Sequence, residues 1–184
     1  ESLGADYVIV AMSGDFVQRG APALMPKHLR AEMALLGGAD LVLELPVQVS
    51  TASAEGFAAG GVSLLDGLGI VDELCFGSEC GDTEILMETA RILVAEPPVY
   101  RDFLQKNLRE GMSFPLARSR ALTSYVTKSA ISDVSFGDGH FIFPEQMDSI
   151  LSSPNNILGI EYCKTLLRQN SSIRPHALLR KGSG

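Results

Sequence analysis

Short, nearly unbroken apolar runs alternate with amphipathic stretches in the first part of the chain. Asp6–Met12 is such a run and stops at Ser13-Gly14-Asp15, which predicts a buried strand and a turn. Over 26–36, Leu29, Met33 and Leu36 fall at helical spacing, and Gly37-Gly38 supplies a stop. Ala39–Leu45, closed by Pro46, predicts a second buried strand. Thr51–Leu68 predicts a closely packing helix in which Gly56, Gly60 and Gly61 admit a neighbour, and Val71–Phe76 a third strand. Strand, helix, strand, helix, strand is the rhythm of a parallel sheet with crossover helices, so the fold class is α/β.

The pattern then changes to helices. Asp82 suits an N-cap, Ile85, Leu86, Thr89, Ile92 and Leu93 line one face, and Pro97-Pro98 ends the segment. Tyr100, Phe103, Leu104 and Leu108 mark a second helix, and Ser113–Thr127 a third. Residues 129–144, around Gly137-Asp138-Gly139, read as a loop. Asn155–Gln169 is helical with Leu158, Tyr162 and Leu166 as its stripe, Ser172–Arg180 reads as a strand, and the chain then turns. Three segments are expected: an α/β core over 1–82, a helical region over 83–150, and a return to the core over 151–184.

Composition narrows the class. The 184 residues are 46% apolar and 20% charged, enough for a sizeable buried core and incompatible with disorder. Neither a spanning apolar stretch nor a leader-like start is visible, and three cysteines without a C-x-x-C pair support neither a disulfide framework nor a zinc site. The expected location is cytoplasmic, with no membrane partner and no metal site. The net charge of −7 conceals a division: residues 1–100 carry −11 and residues 101–184 carry +4. A phosphate backbone would therefore meet the later half.

Open parallel sheets bind ligands at the carboxyl ends of their strands. The turns there are Ser13–Gly20, Pro46–Gln48, Gly77–Asp82 and Arg180–Gly184. Glycines let backbone come close to a ring or a phosphate, and Arg19 and Arg180 offer forked donors for phosphate oxygens. The same glycines also make ordinary turns, and Arg19 can equally cap a helix or pair with an acid. The dinucleotide G-x-G-x-x-G and phosphate-loop G-x-x-x-x-G-K-[ST] patterns are absent, which argues against a dehydrogenase or a P-loop NTPase. His28, His140 and His176 are scattered. Cys75, inside an apolar strand, reads as core. Glu44, between Leu43 and Leu45, is expected to pair with a neighbour such as Arg19 or Arg30.

Five ordered blocks between Tyr7 and Gly184 carry more specific information. Val10–Ala23, Leu43–Pro46, Leu74–Glu79, Ser153–Tyr162, and Asn170–Ile173 with Arg180-Lys181-Gly182 resemble the bacterial tRNA(Met) cytidine acetate ligase family. The resemblance implies a Rossmann-like parallel sheet of the nucleotidylyltransferase type with an added helical region. It implies ATP as substrate with magnesium, activation of acetate as acetyl-adenylate, and acetylation of the wobble cytidine of elongator tRNA(Met). On that basis Gly77 lies against the adenosine, Asn155 or Asn156 binds the nucleotide, and Arg180 reaches it from the last strand. Candidate tRNA contacts are Arg118, Arg120, Lys128, Lys164, Arg168 and Lys181, chosen from the basic second half.

Members of that family begin with a strand and a His-x-Gly-His loop, which is not in this sequence, so the catalytic residues stay unassigned. The chain is accordingly expected to be an internal fragment, with the first strand of the sheet upstream and a Ser/Thr-rich phosphate turn downstream. Two other functions stay open on the residues alone. One is a small-molecule nucleotidylyltransferase, and the other a non-catalytic nucleotide- or tRNA-binding module.

Overall fold

A computed structural model describes residues 3–131 and 144–181. It divides into two compact units, Glu1–Val71 and Asp72–Gly184. That division falls earlier than the expected boundary at residue 82, because the third strand takes its ladder from the last one.

The first unit contains β1 (Ile9–Ser13), α1 (Lys27–Leu36), β2 (Leu41–Leu45), α2 (Val47–Ser50) and α3 (Ala54–Asp66). β1 and β2 are parallel, paired from Ile9 with Leu41 to Ser13 with Leu45, so their carboxyl ends lie side by side. The helix expected over 51–68 forms as α3, starting three residues later, with the short α2 before it. Ser53 sets that start by accepting the Gly56 amide at 3.3 Å, because a serine oxygen satisfies an amide that the first helical turn leaves unpaired. Leu29, Met33 and Leu36, whose helical spacing marks α1, are exposed. Periodicity marks a face that can be buried without supplying what buries it.

The second unit contains β3 (Glu73–Ser78), α4 (Thr83–Ala95), α5 (Pro98–Arg109), α6 (Phe114–Ile131), α7 (Pro144–Ser152), α8 (Pro154–Gln169) and β4 (Arg174–Leu179). β3 and β4 are parallel, from Glu73 with Arg174 to Ser78 with Leu179. β3 runs two residues past its expected end because the ladder continues through Gly77 and Ser78. Asp82 caps α4 as expected, its Oδ1 accepting the Glu84 and Ile85 amides at 3.0 and 3.1 Å. α6 runs on to Ile131, into the segment expected as a loop, whose residues 132–143 lie outside the described residues. α7 forms where the pattern predicts no element, with Met147 and Ile150 buried one turn apart.

One core joins these helices to β3. Phe76, Leu86, Ala90, Ile92, Leu93, Tyr100, Leu122, Val126, Met147, Ile150 and Ile160 form a continuous cluster. Each fully buried large aliphatic side chain contributes about 1.5–3 kcal/mol by leaving water. α8 lies against β3 and α4 because Gly159 leaves room: a methyl there would stand 2.6 Å from Phe76 Cε2 and 3.1 Å from Leu86 Cδ1. Overpacking costs about 1–3 kcal/mol, and helix propensity returns up to about 1 kcal/mol for Gly→Ala. Gly159→Ala is therefore expected to lower the urea midpoint, and a midpoint at or above the parent's would show that this contact yields freely. Among the described residues no helix is long and apolar enough to cross a membrane.

Candidate functional site

At the carboxyl end of β3, the turn into α4 meets the start of α8 and the end of β4. Gly77 and Arg180 come together here. A methyl at Gly77 would stand 3.1 Å from Arg180 Cγ and 3.3 Å from Cδ, so the bare backbone is what lets the aliphatic stem of Arg180 lie across β3. The Arg180 amide donates to the Ser78 carbonyl at 3.0 Å, extending the ladder, and the side chain is exposed. Its guanidinium stays available to solvent beside a glycine at a strand end.

Asn155 and Asn156 arrive from α8 and do different work. Asn156 is 2% exposed, and its Oδ1 accepts the Glu79 amide at 2.9 Å and the Cys80 amide at 3.1 Å. It is part of the turn's framework. Asn155 is half-buried, and its Nδ2 donates to Glu79 Oε1 at 2.7 Å. Glu79 returns the contact by accepting the Asn155 amide at 3.3 Å on Oε1 and the Asn156 amide at 2.9 Å on Oε2. Burial alone would push the Glu79 carboxyl up. Hydrogen bonds from the Asn155 side chain, from its own backbone and from the Asn155 and Asn156 amides outweigh burial and hold it below the usual carboxylate value. Ser78, fully buried, accepts the Gly81 amide at 2.8 Å, and Thr83 Oγ1 accepts the Ala177 amide at 2.8 Å, tying the turn to β4.

Glu79, Ser78 and Thr83 receive no role from the sequence pattern. The signal available was a carboxylate two residues after the strand-end glycine, with two asparagines opening a helix more than seventy residues later. Only the fold shows that they meet.

The six candidate tRNA cations separate into two groups. Arg118 Nη1 lies 3.0 Å from Glu161 Oε1 and Lys164 Nζ 2.6 Å from Glu161 Oε2, with Glu161 and Lys164 both buried. Lys164 is thereby corrected from a surface phosphate contact to a buried ion pair within α8, and the Arg118 head, turned inward to the same carboxylate, joins α6 to α8. Arg120, Lys128, Arg168 and Lys181 are exposed. Lys181 directly follows Arg180 at the strand-end turn. Arg168 lies about 18 Å along α8 from Asn156 at 1.5 Å per residue, and so belongs to the opposite end of that helix.

Cys75, expected in the core, is exposed on the face of β3 away from Phe76. Partial desolvation, and then the Glu73 carboxylate, push its thiol up, so a thiolate nucleophile is disfavoured there. Strand alternation explains the correction, since only every second residue of an apolar run faces the helices.

The first unit has its own strand-end group. Glu44 pairs with Lys27 and not with Arg30, while the Arg19 side chain lies outside the described residues: Lys27 Nζ donates to Oε1 at 3.0 Å and to Oε2 at 2.8 Å, and the Glu44 carboxylate raises the Lys27 pKa. Arg30 instead donates to the carbonyls of Met25 at 3.1 Å, Ser13 at 3.0 Å and Gly14, holding the start of the loop. Five residues on from Gly14 that loop carries Arg19, within a short 3-10 turn over Gln18–Gly20. Among the described residues no group of three or more His, Cys, Asp or Glu side chains could hold a metal ion.

Comparison with known proteins supplies context for this geometry. The profile of the HIGH nucleotidyl transferase family matches residues 1–184. The tRNA(Met) cytidine acetate ligase of Clostridium perfringens is 46% identical over the whole chain, which spans 43% of that protein. The protein of the same name from Acetivibrio thermocellus is 48% identical over 96% of the chain and 39% of its own length. The crystal structure of Thermotoga maritima TmcAL bound with alpha-thio ATP superposes with a TM-score of 0.87 at 43% identity, covering 97% of this chain and 40% of that one. The chain thus spans about two fifths of the relatives it matches, and it shares their nucleotidylyltransferase-type α/β fold.

Proposed function

Because the chain belongs to the HIGH nucleotidyl transferase family over residues 1–184, we propose that it supplies the nucleotide site of an ATP-dependent tRNA(Met) cytidine acetate ligase. In this reading an acetate oxygen attacks the α-phosphorus of ATP and pyrophosphate leaves, giving acetyl-adenylate. The exocyclic amine of the wobble cytidine of elongator tRNA(Met) then attacks the acetyl carbon, AMP leaves, and the amine gives up a proton.

The residues of the second unit have distinct parts in the first step. Gly77, with the Arg180 stem lying across it, keeps the end of β3 low, and the adenosine lies against that edge. Asn155, at the mouth of the turn, orients the nucleoside, while Asn156 holds the turn that Asn155 faces. Arg180 brings a permanent positive charge to the phosphates as negative charge builds on the departing pyrophosphate. Arg120, Lys128, Arg168 and Lys181 are the proposed tRNA backbone contacts, since their side chains are exposed.

The convergence of Gly77 and Arg180 at one strand end, within 3.1 Å of contact for an added methyl, is the observation that carries the reading. The test is acetate-dependent exchange of labelled pyrophosphate into ATP by the intact protein. Arg180→Ala is expected to lower that exchange about 100- to 1,000-fold, the scale for removing one donor to developing charge, with the far-ultraviolet circular dichroism unchanged. Exchange at the parental rate in Arg180→Ala would remove Arg180 from the site, and no exchange in the parent would remove the activity.

A further inference from the structure

Every amide of the first turn of α8 is already occupied. Position 154 is proline and has no N–H. The Asn155 and Asn156 amides go to Glu79, and the Ile157 amide donates to the Ser153 carbonyl at 3.0 Å. The Ser153 amide, one residue earlier, donates to the Ile150 carbonyl at 3.4 Å. A helix of 16 residues carries roughly half a positive charge at its start, and such an end ordinarily receives a phosphate. Here an internal carboxylate from the β3–α4 turn takes that place, and the Asn155 side chain adds a third hydrogen bond to it.

We propose that Glu79 is the positioning residue of the nucleotide site, an internal anion that closes the α8 end to phosphate and turns the nucleotide so that its nucleoside end faces α8 and its phosphates face Arg180. This rests on the nucleotide reading above. Two functions meet in the one carboxylate. It repels phosphate oxygens from the helix end, and it fixes the Asn155 side chain and the 77–82 turn against each other. The clasp is reciprocal, because Asn156 Oδ1 holds the Glu79 and Cys80 amides while Glu79 holds the Asn155 and Asn156 amides. Neither side can turn without breaking the other. Glu79 acts through Asn155 and through its charge.

The experiment measures, by calorimetry on the intact protein, the dissociation constants of ATP, adenosine and inorganic tripolyphosphate. The variants are Glu79→Gln, which keeps the shape and removes the charge, Glu79→Ala, which removes both, and Glu79→Asp, which keeps the charge on a shorter stem. In the first two, tripolyphosphate is expected to bind about fivefold tighter, as the helix end loses the charge that repels an anion, while adenosine binds about threefold weaker as Asn155 loses a charge-assisted partner. Glu79→Asp is expected to weaken adenosine and keep the parental preference for it over tripolyphosphate. A purely structural role would weaken both ligands together in all three variants, and an unchanged or parallel shift in the first two overturns the proposal. Either of them suffices if the other does not fold. ATP binding to the parent with no change of preference in the variants rejects Glu79 alone, whereas no heat with ATP in the parent rejects the nucleotide reading with it.

Discussion

Glu161→Gln is expected to destabilise the protein by about 3 kcal/mol, the low end of what breaking a buried charge pair costs, and to lower the melting temperature by roughly 6–12 °C. Glu161 is 3% exposed and serves two cations, Arg118 from α6 and Lys164 from its own helix. Glutamine preserves the volume and one acceptor. What it removes is the charge that both cations face, and an amide nitrogen would now point at one of them. Replacing Arg118, Glu161 and Lys164 together with methionine, leucine and methionine is expected to recover most of the loss, because the desolvation of three ions disappears with their attraction. Thermal melts of the parent, the single and the triple variant decide it. A single variant that melts with the parent would mean that solvent screens the cluster. A triple variant no better than the single one would mean that packing, and not charge, is what Glu161 provides.

Asn156→Ala is the second large effect, at about 2–4 kcal/mol. The side chain is 2% exposed, and its loss leaves the Glu79 and Cys80 amides without their acceptor in a partly buried turn. Each unsatisfied buried amide costs about 1–3 kcal/mol. Asn156→Asp keeps an acceptor oxygen and is expected to lose less, although the new charge stands close to the Glu79 carboxylate. Urea unfolding of both variants measures the difference. Equal midpoints for Asn156→Ala and the parent would show that water replaces the acceptor at no cost, and that the clasp between α8 and the β3–α4 turn is not structural.

pH affects the same clasp with a definite sign. The Glu79 carboxyl is held below its unfolded value of 4.5, so its contribution is fully present above that pH and is lost as pH falls through the lower, folded value. Near neutrality the clasp is fully charged.

How far the chain's pattern reaches is visible element by element. The apolar runs ending at Met12, Leu45 and Phe76 lie in or against strands, and Asp82 caps the helix it was expected to cap. Gly77 and Arg180, each singled out separately, lie side by side at the strand end. Cys75 fails as core and Leu29, Met33 and Leu36 are exposed for one reason: hydropathy records what a position tolerates, and exposure depends on a neighbour. α7 escapes the pattern because nine residues with few apolar positions are too short for periodicity to stand out, and Met147 and Ile150 become a face only against the core.

Local chemistry along the chain determined the parallel α/β rhythm, the helix cap and the glycine at the strand end, since each depends on residues within a turn of one another. Tertiary structure alone decided that Lys164 is an internal ion, that Asn156 holds the turn's amides while the Asn155 side chain holds Glu79, and that Glu79 accepts the amides at the start of α8. Those roles join residues up to 77 positions apart. Their energies come from desolvation and from hydrogen bonds across elements, quantities that exist only once the elements are packed.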